Sequence, residues 1–409
     1  MEAEPFTEED SMSIRGRVLV TLAALALVVA ACGEDEPAAT TAAATTAAPT
    51  TAAPTTTEAM AEAMSACEGA TLSFIGLDGE AGETELQAWR DENGVALETN
   101  WPGSWPQFVA AIKVGDVYDL ATIAYHVGPR HIEAGLFQPI DTSRLENWDK
   151  MFPGLRENSS LRGADGQVYG VPIAWGDGPY IYHPGRVANP PQSITELMEP
   201  EWEGRFTIFD SPTLVFSMLA IANGFDDGVG DRTNIDADQL EVVKEQALQI
   251  LRNASAFANG YRDATDIMVA GDSDLNVNGW EAMLTWAEEQ GETLDFAFFE
   301  ESGGGGWWDG LAIPVTADDV DCAYEYIDLM ISDEINAQVG ENLVSGVVNS
   351  NSAEIAGPGA QIYDYDLVRT DTSAVSFRNA QPPEDDEAPE GITSISDWLD
   401  AWEEIKAEA

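Results

Sequence analysis

Residues 70–124 read ATLSFIGLDGEAGETELQAWRDENGVALETNWPGSWPQFVAAIKVGDVYDLATIA. Three short apolar runs in this stretch have the length and composition of buried strands: 70–76, 95–100 and 118–124. Two amphipathic segments with helical spacing lie between them: 83–92 and 107–114. The order strand, helix, strand, helix, strand predicts an α/β fold whose mainly parallel sheet is flanked by helices on both faces.

Polar and aromatic residues follow the first and third of these strands. The segment 77–80 (LDGE) comes after the first strand, and Tyr125 and His126 come after the third. Because ligands of such sheets bind at the carboxyl ends of the strands, Asp78, Tyr125 and His126 are candidate ligand contacts. Asp78 has a structural alternative, since an Asp at a strand-to-helix turn commonly caps the helix.

A second α/β unit is predicted further along the chain. Its candidate strands are 204–209, 275–278 and 294–299, and its candidate helices are 214–223 and 238–253. Two more helices are predicted at 321–331 and 333–343. Asp210 follows the first of these strands and Trp280 lies just after the second, so both are candidate contacts, with helix capping again the alternative for Asp210. Two such units predict a two-lobed body with a ligand cleft between the lobes.

The charge balance excludes one class of partner. Acidic residues outnumber basic ones 73 to 18, which gives a net charge of −55. Because phosphate binding needs clustered Lys and Arg, we expect no nucleic-acid partner. An acidic surface attracts cationic ligands, but it equally keeps a protein soluble in salt, so charge alone does not identify the ligand. The three histidines lack zinc-like spacing, and neither a metal nor a cofactor is expected.

The N-terminus has the pattern of an export signal. An apolar run at 18–31 follows Arg15 and Arg17, is too short to span a membrane stably, and ends at Cys32. The motif VAAC, at residues 29–32, resembles a bacterial lipobox. This resemblance implies that Cys32 is lipidated and attaches the protein to the membrane. An ordinary secretory signal with an incidental Cys is the alternative. The acidic opening is untypical of a signal peptide, so translation from Met12 is a second possibility.

The segment behind the signal peptide has a composition of its own. Residues 33–66 are almost all Ala, Thr, Pro and Glu, which lack large apolar side chains, so we expect 32–66 to be a lipidated Cys and a disordered tether. Cys67 and Cys322 are the other two cysteines. In an exported protein such a pair suggests a disulfide, with two separate buried thiols as the alternative.

Four motifs in the folded part resemble a known family. They are YGVPIAWG at 169–176, SITELMEPEWEG at 193–204, WWDGLAIP at 307–314 and the helical stretch 321–338 that ends in SDEINAQ. In this order they are similar to the type II solute-binding proteins of ABC importers, and most of all to the spermidine/putrescine-binding branch. There the first motif is where the chain crosses between lobes, the second forms a helix and a turn before the second-lobe strand, and the third returns to the first lobe.

The resemblance implies a domain organisation and a role. Lobe 1 is expected at 67–174 with 307–345, lobe 2 at 175–306, and a C-terminal helical segment at 346–409 packed on the lobes. The expected protein is an extracytoplasmic lipoprotein, with residues 1–31 as its signal peptide. It acts as a monomer that captures a small solute, a polyamine or related cationic amine, and delivers it to an ABC permease by lobe closure.

The same resemblance nominates ligand contacts. Trp307 and Asp309 match a Trp and an Asp that bind the ligand in that family, as an aromatic face and a carboxylate suit an ammonium group. Asp210 is the nearest counterpart of one family acid, Trp280 lies near the position of a family Trp, and Ser345 replaces a ligand-binding Tyr.

Two alternatives to an amine-binding protein stay open. The chain lacks several aromatic residues of the polyamine binders, so the solute could instead be a sugar, an amino acid or a betaine. An exported enzyme on a similar fold is the other alternative. The sequence has no Ser-centred elbow, HExxH motif or P-loop, so we expect no catalytic residues and no enzymatic activity.

Overall fold

The computed structural model describes residues 65–77, 79–102, 105–226, 232–302, 306–369, 381–385 and 388–409. Strands β1 to β11 within these ranges are Thr71–Ile75, Ala96–Asn100, Leu120–Ala124, Val171–Asp177, Tyr180–Tyr182, Phe206–Phe209, Ala256–Ala258, Leu275–Asn276, Asp295–Ala297, Gly306–Ala312 and Gly346–Val347. Helices α1 to α13 are Gln87–Asn93, Trp105–Lys113, Gly128–Glu133, Pro153–Arg156, Pro212–Ala222, Ala237–Asn253, Tyr261–Ala270, Ala282–Glu289, Val320–Met330, Asp333–Asn342, Ser352–Ile355, Asp366–Arg369 and Ile395–Glu408.

Local signals fix several helix ends. Helix α1 ends at Gly94, whose φ of 66° lies in the left-handed region that glycine adopts without steric cost. Helix α6 begins with a capping box, in which the Asp236 carboxylate accepts a hydrogen bond from the backbone of Gln239 and the Gln239 side chain accepts one from the backbone of Asp236. No helix in the described ranges is long and apolar enough to cross a membrane.

The first sheet has the strand order β11-β4-β10-β3-β1-β2. Strand β1 pairs in parallel with β2 and β3, as the βαβαβ pattern predicts. Strand β10 is antiparallel to both β3 and β4, and β11 is antiparallel to β4, so the sheet is mixed rather than mainly parallel. The cause is the path of the chain, because β4 leads out of this lobe and β10 leads back into it.

The second sheet repeats this plan with the order β7-β6-β8-β5-β9. Strand β6 is parallel to β7 and β8, whereas β5, which continues from β4, is antiparallel to β8 and β9. Two α/β lobes are therefore present, as expected, each with a mixed sheet. We call the lobe of the first sheet lobe 1 and that of the second sheet lobe 2.

Each lobe has an apolar core of its own, and the C-terminal part of the chain contributes to both. Strand β11 joins the lobe 1 sheet. Helix α13 packs on lobe 2, where Trp398 and Trp402 lie edge-on to Phe216 with ring centroids 5.5 Å apart in each pair. Both tryptophans are buried, so α13 is part of the lobe 2 core.

The structure tests two sequence expectations, a disulfide in lobe 1 and a helix in lobe 2. The disulfide between Cys67 and Cys322 is present and confirmed, with Cα atoms 4.7 Å apart. The stretch 193–204, in which a helix was expected, instead forms two 3₁₀ turns, Ile194–Met198 and Pro200–Trp202. Pro200 lacks a backbone N–H and its ring restricts the preceding residue, which stops a continuous α-helix from forming here.

The chain enters the folded body next to the disulfide. Glu325 accepts hydrogen bonds from the Ser65 hydroxyl at 2.8 Å and the Ala66 backbone N–H at 2.7 Å. The proposed signal peptide, Cys32 and all but the last residues of the proposed tether lie outside the described residues.

Candidate ligand site between the lobes

A cleft of about 700 Å³ lies where the strand ends of the two sheets face each other. Lobe 1 and the strands that cross between the lobes contribute Leu77, Glu80, Trp101, Tyr125, His126, Ala174, Trp307, Asp309 and Leu343. Lobe 2 contributes Ser211, Thr213, Leu214, Tyr261 and Trp280, and Gln381 from the C-terminal segment completes the lining. The cleft is therefore at the position that open α/β sheets use for ligands.

Asp309 is positioned by an irregularity in strand β10. It lies opposite Ala124 of β3 and Ala174 of β4, and the register with β4 shifts between Asp309 and Gly310. Only glycine fits at 310, because a Cβ atom there would lie 2.3 Å from the carbonyl oxygen of Val171. Such bulges re-aim side chains, and this one sets the direction of the Asp309 carboxylate at the floor of the cleft.

A second carboxyl group lies beside Asp309. Glu80 is buried and in hydrogen-bonding contact with Asp309, and its Oε2 accepts a hydrogen bond from the Thr122 hydroxyl at 2.7 Å. The same hydroxyl oxygen accepts the backbone N–H of Leu77 at 3.0 Å. This short chain of hydrogen bonds ties Glu80 to strand β3 and holds it against Asp309.

Burial changes the ionisation of this pair. It raises the pKa of Asp309 from 3.8 to about 7, and burial together with the Asp309 charge raises the pKa of Glu80 well above its usual 4.5. Of the described residues that line the cleft, none is Lys or Arg. The pair therefore retains a proton near neutral pH, and a cation placed beside it would favour the fully ionised form.

Aromatic side chains form the walls above the carboxyl pair. They are Tyr125, Tyr261, Trp280 and Trp307. Tyr261 lies edge-on to Trp280 with ring centroids 5.5 Å apart. Trp307 packs over Gly176, where a Cβ atom would come within 2.8 Å of the indole, so glycine makes room for the ring. Aromatic faces close to carboxylates provide the surroundings that stabilise an ammonium or guanidinium group.

His126 adds no positive charge to the cleft. Burial, and secondly the nearby charge of Arg130, lower the pKa of His126 to about 4, so its imidazole is neutral at physiological pH. Its ring lies 5.6 Å from that of Trp105, measured between centroids. The histidine therefore acts as a polar, uncharged part of the wall.

Gln381 closes one side of the cleft and contacts both lobes. Its side-chain oxygen accepts a hydrogen bond from Arg130 of α3 at 2.9 Å. Its backbone oxygen accepts the N–H of Thr233, ahead of α6, at 3.0 Å. Arg130 also forms an ion pair with Glu384, which fixes the segment 381–385 against lobe 1.

The lobes also touch at Val344, behind the cleft. The Val344 carbonyl accepts hydrogen bonds from the Trp280 indole at 3.3 Å and the Tyr363 hydroxyl at 2.6 Å. Tyr363 belongs to the lobe 1 core and also contacts the buried Glu281 of lobe 2, 3.0 Å away. Val344 has a φ of 46°, the only positive value at a non-glycine residue in the described part of the chain.

The structure brings together most of the nominated contacts. Five of them line the cleft: Tyr125, His126, Trp280, Trp307 and Asp309. Asp78 lies outside the described residues.

Two nominated residues lie elsewhere. The carboxylate of Asp210 accepts hydrogen bonds from the Trp402 indole at 2.6 Å and the Lys406 ammonium at 2.9 Å, both on α13, and is not part of the lining. Ser345 is fully buried and is also absent from the lining. The structure therefore does not place Asp210 and Ser345 with the other nominated residues, because helix α13 binds the Asp210 carboxylate and Ser345 is enclosed by the protein interior.

Sequence reasoning missed Glu80, Tyr261 and Trp101. Glu80 follows the predicted strand at 70–76 and Trp101 follows the one at 95–100. Their positions after the carboxyl ends of these strands could have indicated that they line the cleft. Tyr261 begins helix α7 directly after strand β7. That strand has only the three residues AFA, so no periodic pattern marks it.

Comparison with known proteins identifies relatives. Residues 86–364 match the family described as bacterial extracellular solute-binding protein. The spermidine/putrescine-binding periplasmic protein of Escherichia coli (strain K12) is 25% identical over 278 residues, which are 67% of this chain and 76% of the relative.

Solved structures show the same fold. The spermidine/putrescine ABC transporter substrate-binding protein PotD from Streptococcus pneumoniae superposes with a TM-score of 0.65 at 19% identity, covering 83% of this chain and 98% of its own. The TpPotD lipoprotein of Treponema pallidum superposes with a TM-score of 0.61 at 13% identity, covering 83% of this chain and 98% of its own. These similarities confirm the predicted type II periplasmic-binding-protein fold.

Proposed function

Because the chain belongs to the bacterial extracellular solute-binding proteins and is homologous to polyamine-binding proteins of ABC transporters, we propose that its solute is a small cationic amine. The amine would bind in the cleft, the lobes would close around it, and the loaded protein would deliver it to a membrane permease. A polyamine such as putrescine or spermidine is the first solute to test, since two of the relatives named above carry these solutes in their names.

The carboxyl pair of Glu80 and Asp309 is the observation that carries this proposal. Two acids in contact, with no Lys or Arg in the described lining, form a site that lacks positive charge. A ligand ammonium would supply that charge and donate hydrogen bonds to both carboxylates. The faces of Trp307 and Tyr125 would add cation–π contacts, and the apolar parts of the walls would cover methylene groups.

Calorimetric titration against a panel of solutes tests the proposal. We expect putrescine or spermidine to bind with one-to-one stoichiometry, and a neutral sugar and a zwitterionic betaine to give no heat. Solute recovered after denaturation should be chemically unchanged, which separates a binding protein from the enzyme alternative. Binding of the sugar but of no amine would contradict the cation proposal while leaving a transport role in place.

The proposed membrane anchor depends on Cys32. A lipobox-like VAAC sequence followed by a polar segment supports a lipoprotein, as does the description of the Treponema pallidum structural neighbour as one. A lipid on Cys32 and the proposed tether at 33–66 would hold the two lobes at the outer face of the cell membrane.

Cys32→Ala should release the protein from the membrane or block its maturation. Without the thiol there is no site for the lipid, so the variant should incorporate no fatty-acid label and should partition into the aqueous phase of a detergent extract. Thr40→Ala, a change within the same polar segment, serves as the control and should keep the label. A Cys32→Ala protein that is labelled and membrane-bound would show that the anchor is elsewhere.

A further inference from the structure

A buried contact behind the cleft joins Tyr363 of lobe 1 to Glu281 of lobe 2. The Tyr363 hydroxyl oxygen lies 3.0 Å from Oε2 of Glu281 and 2.6 Å from the carbonyl oxygen of Val344. Tyr363 is 5% exposed, and Glu281, which directly precedes helix α8, is 1% exposed. Glu281 does not line the cleft, so the amine binding proposed above leaves this buried acid without a role.

The single proton of the Tyr363 hydroxyl is used within lobe 1. A carbonyl oxygen can only accept a hydrogen bond, so at 2.6 Å the hydroxyl donates to Val344. The hydroxyl oxygen can then only accept from Glu281. An ionised carboxylate has no proton to donate, and two acceptor oxygens 3.0 Å apart would repel each other. The contact between the lobes is therefore a hydrogen bond only if Glu281 is protonated and donates to Tyr363.

The other titratable groups around Glu281 do not favour its charged form. Asp177 at the end of β4 and Tyr261 at the start of α7 interact with it electrostatically, and Asp364 acts in turn on Asp177. Among the described residues no Lys, Arg or His forms a hydrogen bond or an ion pair with Glu281. Burial, and less strongly the charge of Asp177, raise the pKa of Glu281 to about 8. Burial also raises the pKa of Tyr363 well above 10, so its hydroxyl keeps its proton.

We propose that Glu281 and Tyr363 form a proton-dependent latch, which holds the two lobes together when Glu281 is protonated and weakens when it ionises. This inference rests on the proposed function, because it requires the lobes to close around the solute. Parting of the lobes would remove Tyr363 from Glu281 and admit water, so the pKa of this carboxyl would fall toward its usual 4.5. The closed form then holds an extra proton between these two pKa values, and closure becomes weaker as the pH rises through that window.

Infrared spectroscopy tests the proton on Glu281 directly. At about pH 7, wild-type protein with or without amine should show the band of a protonated carboxyl group that Glu281→Gln lacks. Glu80 and Asp309 are present in both proteins, so their contribution cancels in the difference spectrum. Absence of the difference band in both conditions would overturn the proposal. A band that persists unchanged to about pH 10 would also overturn it.

The pH dependence of spermidine affinity tests whether this proton controls closure. Glutamine can donate an N–H to Tyr363 at every pH, so Glu281→Gln should keep the contact where the wild type loses it. We expect the ratio of wild-type to variant affinity to fall by about tenfold or more between about pH 6 and about pH 9. Asp309 titrates in both proteins, so the ratio cancels its effect. Tyr363→Phe removes the acceptor and should weaken spermidine binding more at about pH 6 than at about pH 9.

Glu301→Gln is the matched control. Glu301 is also a buried acid of lobe 2, but it accepts hydrogen bonds from the Ser193 hydroxyl and the backbone N–H of Ile194, both in the same lobe. Its pH profile should run parallel to that of the wild type, and thermal unfolding shows that each variant is folded. A constant affinity ratio for Glu281→Gln, or the same pH shift in Glu301→Gln, would overturn the latch. If wild-type protein binds none of the amines although the infrared band is present, the proposed function fails while the protonation of Glu281 stands.

Discussion

Asp309→Asn should weaken the binding of a cationic amine by on the order of 30-fold or more, because it removes one partner of a buried, hydrogen-bonded charge pair. The change preserves the shape of the side chain on its bulge, so the sheet and the aromatic walls should remain intact. Isothermal titration with the best amine of the panel measures the effect.

The pH dependence of the same site follows from the pKa of Asp309. Burial raises this pKa to about 7 from its usual value of 3.8. Binding requires the carboxylate, so amine affinity should fall as the pH drops below about 7, by up to tenfold per pH unit. In the ligand-free protein the folded state holds the extra proton between these two values, so its stability should fall as the pH rises through that window.

The control for Asp309→Asn is Asp210→Asn. Asp210 bears the same charge, but its carboxylate is held by Trp402 and Lys406 and does not line the cleft. Its replacement should lower stability and leave amine affinity close to that of the wild type. If Asp210→Asn weakened binding and Asp309→Asn did not, the assignment of Asp309 as the partner of the ligand ammonium would be wrong.

Removal of the disulfide should have the largest effect on stability. The Cys67–Cys322 bond closes a loop of 255 residues, and the chain-entropy model gives roughly 5 kcal/mol as an upper figure for its contribution to the free energy of unfolding. The double variant Cys67→Ala with Cys322→Ala should therefore unfold at a much lower urea concentration. Reduced wild-type protein, whose side-chain volumes are unchanged, provides the comparison that separates the cross-link from core packing.

Neither cysteine lines the cleft, so amine affinity of the double variant should stay close to that of the wild type under native conditions. Free thiols that can be alkylated at both positions in native, unreduced protein would contradict the cross-link. An unchanged urea midpoint in the double variant would contradict its energetic role.

The sequence was sufficient to locate the first three strands of lobe 1, but it was insufficient to predict the direction of the later strands in the sheet. The runs at 70–76 and 118–124 are long and apolar enough that their boundaries agree with β1 and β3 to within two residues. The antiparallel strands β4 and β10 could not be predicted as such, because their direction depends on how the chain travels between lobes. A local hydrophobic pattern has no information about that path.

The residues of the candidate site were also only partly predictable from the sequence. Tyr125 and His126 were found because they follow a clear strand, and Trp307 and Asp309 because they lie in a recognisable motif. The position of Asp210 outside the cleft lining could not be predicted, because Lys406, which binds its carboxylate, is 196 residues away in the sequence. Only the packing of α13 on lobe 2 brings that ammonium to the end of β6, and no local signal predicts such a pairing.

The contact at Val344 has a consequence for release of the solute. Its φ of 46° is a conformation that costs a β-branched residue on the order of 1–3 kcal/mol, and its carbonyl accepts a hydrogen bond from the Trp280 indole of lobe 2. In the proposed release step, separation of the lobes would break this hydrogen bond and the one between the Tyr363 hydroxyl and Glu281. Each such bond contributes about 1 kcal/mol. The two bonds would therefore oppose opening of the cleft whether or not a solute is bound.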